Sequence, residues 1–182
     1  MAKIHLVRHG QAAAGFGTHR DPGLNDLGRQ QSRDVAALLA PLGPLPIFSS
    51  PLARAQETAQ PLAELWQQTI TIESRVAEIP SPSEDLNERA QWLQQAMQGT
   101  WSALDSSIQN WRAELAACLL AIETDCVMFS HYVAINAAVG AAENDDRMRI
   151  FAPDNCSVTT LDSTGGQLKV EVLGRTADTK IN

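Results

Sequence analysis

The apolar positions along the chain change period repeatedly, from that of a strand to that of a helix. Residues 3–7 (KIHLV) form an apolar run too short for a helix, which predicts a strand buried on both faces. Glycines 10, 15, 17 and 23 and Pro22 mark residues 10–24 as a loop able to cover a site. A helix is expected from Asn25 or Asp26, either of which can cap it. Leu27, Val35, Leu38, Leu39 and Leu42 would share its buried face before Gly43-Pro44 ends it. "LPIFSSP" predicts a second strand, with Ser50 as N-cap and Pro51 at the first helical position. The following helix would bury Leu52, Ala55, Ala59, Leu62 and Trp66, leaving Arg54 on another stripe of its first turn.

"TITIE" predicts a third strand, and the prolines of "VAEIPSPSED" force an extended loop. Asp85 and Glu88 have capping-box spacing ahead of Leu86, Ala90, Leu93 and Met97. A further helix buries Ile108, Trp111, Leu115, Leu119 and Ile122. "CVMFS" then reads as a strand ending at Ser130-His131, before a small-residue helix that runs to Gly140. "CSVTTLD", a Gly165-Gly166 turn and the alternating "QLKVEVL" predict a β-hairpin at a sheet edge. Residues after Gly174 read as a frayed tail.

Strands alternating with helices specify an α/β fold: a three-layer α/β/α sandwich around a mainly parallel sheet, with an antiparallel C-terminal edge hairpin. With 182 residues, one domain over 1–174 and a tail over 175–182 is expected. A net charge of -7 and pI near 5.0 argue against a nucleic-acid or anionic-membrane partner, so any anion must be held by a local pocket. No run approaches the length of a membrane span, and "MAKIHLVRHG" leads straight into structure, which points to a cytoplasmic protein. Cys118, Cys126 and Cys156 lie in apolar patterns without CxxC spacing and read as buried thiols.

Ligands in open α/β sheets bind beyond the carboxyl ends of the strands. Arg8-His9-Gly10, Arg54, His131 and Glu78 all fall at such ends. Two guanidinium forks beside helix N-termini form a cradle for a phosphate dianion. A neutral imidazole beside them can attack phosphorus, and a carboxylic acid opposite can protonate the departing oxygen. Partial burial between Val76-Ala77 and Ile79-Pro80 would raise the Glu78 pKa for that task. The remaining candidates read structurally: His5 as a core histidine, His19 as solvated, and the tryptophans at 66, 92, 101 and 111 as packing groups. Neither Walker spacing, the dinucleotide fingerprint nor HExxH is present.

"LVRHG", "LNDLGRQQS", "SSPLARAQETA", an isolated glutamate before a proline-rich loop, and "FSHYVAINAAVG" occur in that order over residues 3–161. Together they resemble the histidine phosphatase superfamily, which includes the cofactor-dependent phosphoglycerate mutases. The resemblance implies His9 as the phosphorylated nucleophile and Arg8, Arg54 and His131 as the phosphate pocket. It implies Glu78 as the acid/base; relatives place this acid variably and Glu73 and Glu84 lie nearby, and the apolar flanks of Glu78 are what favour it here. The expected activity is a metal-independent and cofactor-independent phosphatase acting on a small phosphorylated substrate or a phosphohistidine protein. The alternatives are a phosphoglycerate mutase-type isomerase and a catalytically quiet phospholigand-binding protein. Many relatives carry a hydroxyl residue three positions after the nucleophile and an asparagine six after it, where this chain has Ala12 and Gly15.

Overall fold

A computed structural model describes residues 2–15, 17–178 and 181. The elements follow in the order β1 (Ala2–Arg8), α1 (Asp26–Leu39), β2 (Ile47–Ser49), α2 (Ala53–Trp66), β3 (Ile70–Ile72), α3 (Leu86–Ala96), α4 (Ser106–Leu120), β4 (Cys126–Ser130), α5 (Tyr132–Glu143), β5 (Val158–Thr164) and β6 (Gln167–Val172). The sheet order is β3-β2-β4-β1-β5-β6. β3, β2, β4 and β1 are parallel, and the β5–β6 hairpin is antiparallel at the edge, as expected from the sequence. Gly165 and Gly166 turn the hairpin at φ 63° and 73°, backbone that side chains disfavour.

The central strands β1 and β4 are mostly apolar because both faces are covered. Ile4 and Leu6 of β1 and Cys126 and Met128 of β4 pack under α3, α4 and α5. Val7, Val127 and Phe129 point the other way, under α1 and α2. The three layers are those the alternating pattern predicts. All three cysteines are free and buried. Among the described residues no helix is long and apolar enough to cross a membrane.

Four local expectations are corrected. In α1 the buried stripe is Gly28, Ser32, Val35, Ala36 and Leu39, whereas Leu27, Leu38 and Leu42 are 54%, 68% and 48% exposed. The cause is Gly28: a Cβ there would stand 2.1 Å from the Gln11 carbonyl oxygen, so the helix sits tight against the loop after β1 and rotates the larger leucines outward. Ser50 does not cap α2, which starts at Ala53 after Leu52; the Ser50 hydroxyl instead accepts the Leu52 N–H at 3.1 Å. Asp85 caps α3, accepting the Asn87 and Glu88 N–H groups, but Glu88 takes the Ser83 hydroxyl rather than returning to Asp85. The segment after Gly174 is not frayed at its start, since Asp154 N–H donates to Arg175 O at 2.8 Å and Ala177 N–H to Ala152 O at 3.1 Å. Residues 179, 180 and 182 of that expected tail lie outside the described residues.

The rotated α1 face makes a test. Leu39→Ala should cost about 3 kcal/mol, the usual loss for a leucine removed from a packed core. Leu38→Ala should change stability by less than ~0.5 kcal/mol, as for an exposed position. Urea unfolding midpoints at constant m-value measure both, and comparable losses at the two sites would contradict the observed packing.

Candidate active site

Strand register brings the candidate residues together. Arg8 pairs with Ser130 and Ser49 with Phe129, so His9, Ser50 and His131 leave three adjacent strand ends within a residue of one another. His9 N–H donates to Ser130 O at 3.0 Å, and Asn155 Nδ2 donates to His9 O at 3.0 Å. The following turn is held by Gly10 N–H to Thr58 Oγ1 at 3.0 Å, with the threonine hydroxyl donating to Arg54 O at 2.6 Å. Gly10 is required by close approach, because a Cβ would lie 2.6 Å from Gly28 O.

The His9 ring is fully buried and its tautomer follows from its partners. Nδ1 lies 2.7 Å from Gly10 O, and a carbonyl only accepts, so Nδ1 carries the hydrogen and Nε2 presents a lone pair. Arg54 Nε–H donates to that Nε2 at 3.2 Å. Burial drives the His9 pKa well below the ordinary imidazole value, and the Arg54 and Arg8 charges add to it. His131 lies with its ring centroid 5.1 Å from that of His9, tilted by 56°. Its Nε2 is 2.8 Å from Ser50 Oγ. Burial, then Arg54, His9 and Arg8, push its pKa well down too. Both rings are therefore neutral at neutral pH.

Arg8 and Arg54 are 0% and 2% exposed. Arg8 donates from Nη1 to Pro153 O at 2.8 Å, and its guanidinium carbon sits 5.1 Å from the Tyr132 ring centre. Burial lowers its pKa to about 10, opposed mainly by Glu78. The Arg54 pKa is lowered by burial as well, with Glu78 and Asp21 acting in the other direction. Arg54 Nη1 has no hydrogen-bond partner among the described residues.

Glu78 is buried at the start of α5. Its Oε1 accepts the Ile79 and Ala134 N–H groups at 3.0 and 3.2 Å, and its Oε2 accepts the Val133 N–H at 3.3 Å. Burial raises its pKa in spite of those amides and Arg54, which favour the carboxylate. Ser130 Oγ–H donates to Val76 O at 2.7 Å, tying this loop to β4. The two other glutamates have different employment: Glu73 is paired with Arg75 at 2.6 Å, and the exposed Glu84 is paired with Arg20.

A cleft of about 390 Å³ opens onto Arg54 and Glu78, and Arg20, Asp21, Glu84 and Arg89 form its mouth. A larger hollow of about 480 Å³ lies elsewhere, between α1 and β6, and contains none of these groups. Of the remaining histidines, His5 Nδ1 is 3.1 Å from Thr160 Oγ1 in the sheet, and the exposed His19 accepts the Asp21 N–H at 3.1 Å. Sequence reasoning missed Ser50, Thr58, Asn155 and Asp21 as site neighbours. Thr58 could have been found one helical turn after Arg54; Asn155, 146 residues from His9, left no local signal.

The chain and its fold have counterparts among known proteins. A probable phosphoglycerate mutase of Yersinia pestis is 27% identical over 186 residues, covering 89% of this chain and 85% of the relative. A mycobacterial glucosyl-3-phosphoglycerate phosphatase, solved with inorganic phosphate, superposes with a TM-score of 0.73 at 20% identity, over 99% of this chain and 100% of the other. Phosphoserine phosphatase of Entamoeba histolytica, in complex with 3-phosphoglyceric acid, gives 0.76 at 24% identity, over 97% and 98%. These two likenesses establish a shared fold. Residues 4–176 match the histidine phosphatase superfamily (branch 1), and the chain, with its buried histidine at the end of β1, belongs to that family.

Proposed function

We propose that the protein is a metal-independent phosphatase that hydrolyses a phosphomonoester through a phosphohistidine at His9. The observation that carries the reading is the His9 ring: Nδ1 is locked by Gly10 O, and the Nε2 lone pair faces Arg54. An arriving dianion offers the Arg54 N–H groups a stronger acceptor than a neutral imidazole nitrogen, and this releases Nε2. Nε2 then attacks phosphorus while the ester P–O bond breaks, and Glu78 delivers its proton to the leaving oxygen. Arg8, Arg54 and His131 stabilise charge on the equatorial oxygens. In the second step the Glu78 carboxylate takes a proton from water as its oxygen attacks phosphorus. The P–N bond breaks and His9 returns neutral.

Hydrolysis is favoured over isomerisation because the mouth of the cleft is polar and open, lined by Arg20, Asp21, Ser81, Ser83 and Glu84, whereas a mutase must hold water off its phosphoenzyme. With 3-phosphoglycerate the expected products are inorganic phosphate and glycerate. Accumulation of 2-phosphoglycerate, followed by NMR, would shift the assignment to a mutase.

His9→Ala should lower kcat on an aryl phosphate by about three orders of magnitude or more and remove an acid-labile phosphoenzyme otherwise trapped by quenching at residue 9. Wild-type turnover in that variant would overturn the reading. Glu78→Gln should cost about 10²- to 10⁴-fold on an alkyl phosphate, whose leaving oxygen needs a proton, and much less on an aryl phosphate with an acidic leaving group. Since the Glu78 pKa is raised, kcat/KM should fall as pH rises through it, and that alkaline limb should disappear in Glu78→Gln. Because the His9 pKa is depressed, no acid limb from His9 should appear near the ordinary imidazole value.

A further inference from the structure

One carboxylate at the cleft has no part in this scheme. Asp21, on the loop after β1, accepts the Ala53 N–H through Oδ1 at 2.8 Å, at the first residue of α2. The same oxygen lies 3.8 Å from Arg54 Nη1, the buried guanidinium nitrogen without a hydrogen-bond partner among the described residues. The amide end of a fourteen-residue helix and a desolvated guanidinium are the two kinds of group that recognise a phosphate oxygen. Here both face a carboxylate of the chain itself. Asp21 is not sealed in: its side chain is 43% exposed, and its loop spans the cleft mouth between two anchors. On one side Leu24 N–H donates to Glu57 of α2 at 2.8 Å; on the other Arg20 pairs with Glu84 and donates to its carbonyl oxygen at 2.9 Å.

We propose that Asp21 is a resident competitor of the phosphate group. Its carboxylate holds the α2 N-terminus and faces Arg54 in the free protein, and it opposes any dianion that enters. Asp21 therefore sets how tightly substrate and inorganic phosphate are held, and it speeds departure of the product. The inference rests on the cleft being the phosphate site, but not on turnover. An exposed aspartate whose only role was to cap α2 would have no effect on anion affinity beyond the loss of the cap.

Asp21→Asn separates the two roles, because the amide oxygen can still accept the Ala53 N–H while the charge is gone. The inhibition constant of inorganic phosphate and of vanadate should fall about fivefold or more, the effect of one unit charge near 4 Å even at the dielectric of water. The KM for an aryl phosphate should fall in parallel. Asp21→Ser, which keeps an acceptor and lacks the charge, should move in the same direction. Glu123→Gln removes one charge at the opposite end of the sheet and should leave these constants where they are. Unchanged or weaker phosphate binding in Asp21→Asn would overturn the proposal; if kcat then fell tenfold, Asp21 would be a positioning residue for Arg54. Calorimetric titration with phosphate keeps the readouts apart. Tighter binding in a protein that turns over no monoester would refute the phosphatase reading and sustain this one. Normal turnover with unaltered phosphate affinity would do the reverse.

Discussion

Two guanidinium groups and two imidazoles are removed from water together at the carboxyl ends of β1, β2 and β4, and Glu78 is the carboxylate buried with them. That desolvation is the constraint from which the chemistry of the site follows. Four positive charges cannot coexist in such a volume, and the groups differ in how strongly they hold their protons. The arginines retain theirs, even with Arg8 brought down to about 10. The imidazoles give theirs up, and each neighbouring guanidinium reinforces the loss. An imidazole that would be half protonated on a surface near its ordinary pKa is thereby kept as a free base. The same burial that lowers the imidazoles raises Glu78, so one physical cause favours the neutral form of groups of opposite charge type.

Sheet topology explains how this burial is achieved. β1 and β4 are parallel neighbours, so His9 and His131 emerge side by side from a shared end. β5 runs antiparallel to β1, with Val158 opposite Val7, so the residues just before β5 lie over that end rather than at the far side of the sheet. They close the site: Pro153 O accepts from Arg8, Asn155 holds the His9 carbonyl, and Cys156 N–H reaches Arg8 O at 3.0 Å. Cys156 adopts φ 54° to make this turn, a conformation rarely taken by a residue with a side chain. A parallel strand in this place would enter from the opposite end and leave the arginine open to solvent.

Much of this could be read from the chain because it depends on short-range pattern. Apolar runs bounded by turn residues located the strands, and the rule that ligands lie at strand ends selected Arg8, His9, Arg54 and His131 without any knowledge of pairing. Glu78 needed only its apolar flanks. What stayed hidden depends on distance across the fold. Asn155 and Pro153 become site neighbours only through the β1–β5 pairing, and Ser50 has the look of a helix cap until the register sets it beside His131. Leu39 is buried as expected, but Leu27 and Leu38 face solvent, because periodicity gives the relative angle of side chains and not the absolute rotation of the helix, which Gly28 decides by allowing close approach. Ala12 and Gly15 offer no side-chain hydroxyl or amide, and the loop that carries them is instead held by backbone bonds, Ala13 N–H to Gly23 O at 2.8 Å and Asn25 N–H to Gln11 O at 3.0 Å.

The site therefore has two zones with different physical freedom. In the buried zone each polar group depends on the others for compensation, and loss of one leaves a neighbour desolvated and unpaired, a penalty far larger than the bond itself. At the mouth, Arg20, Asp21, Glu84 and Arg89 are wholly or partly in water, where an ion pair such as Arg20–Glu84 contributes ~1 kcal/mol at most and any one partner can change at small cost. Substitution is therefore tightly constrained in the inner zone and loosely constrained at the mouth. Desolvation ties the buried groups to one another, whereas at the mouth solvent makes each substitution cheap.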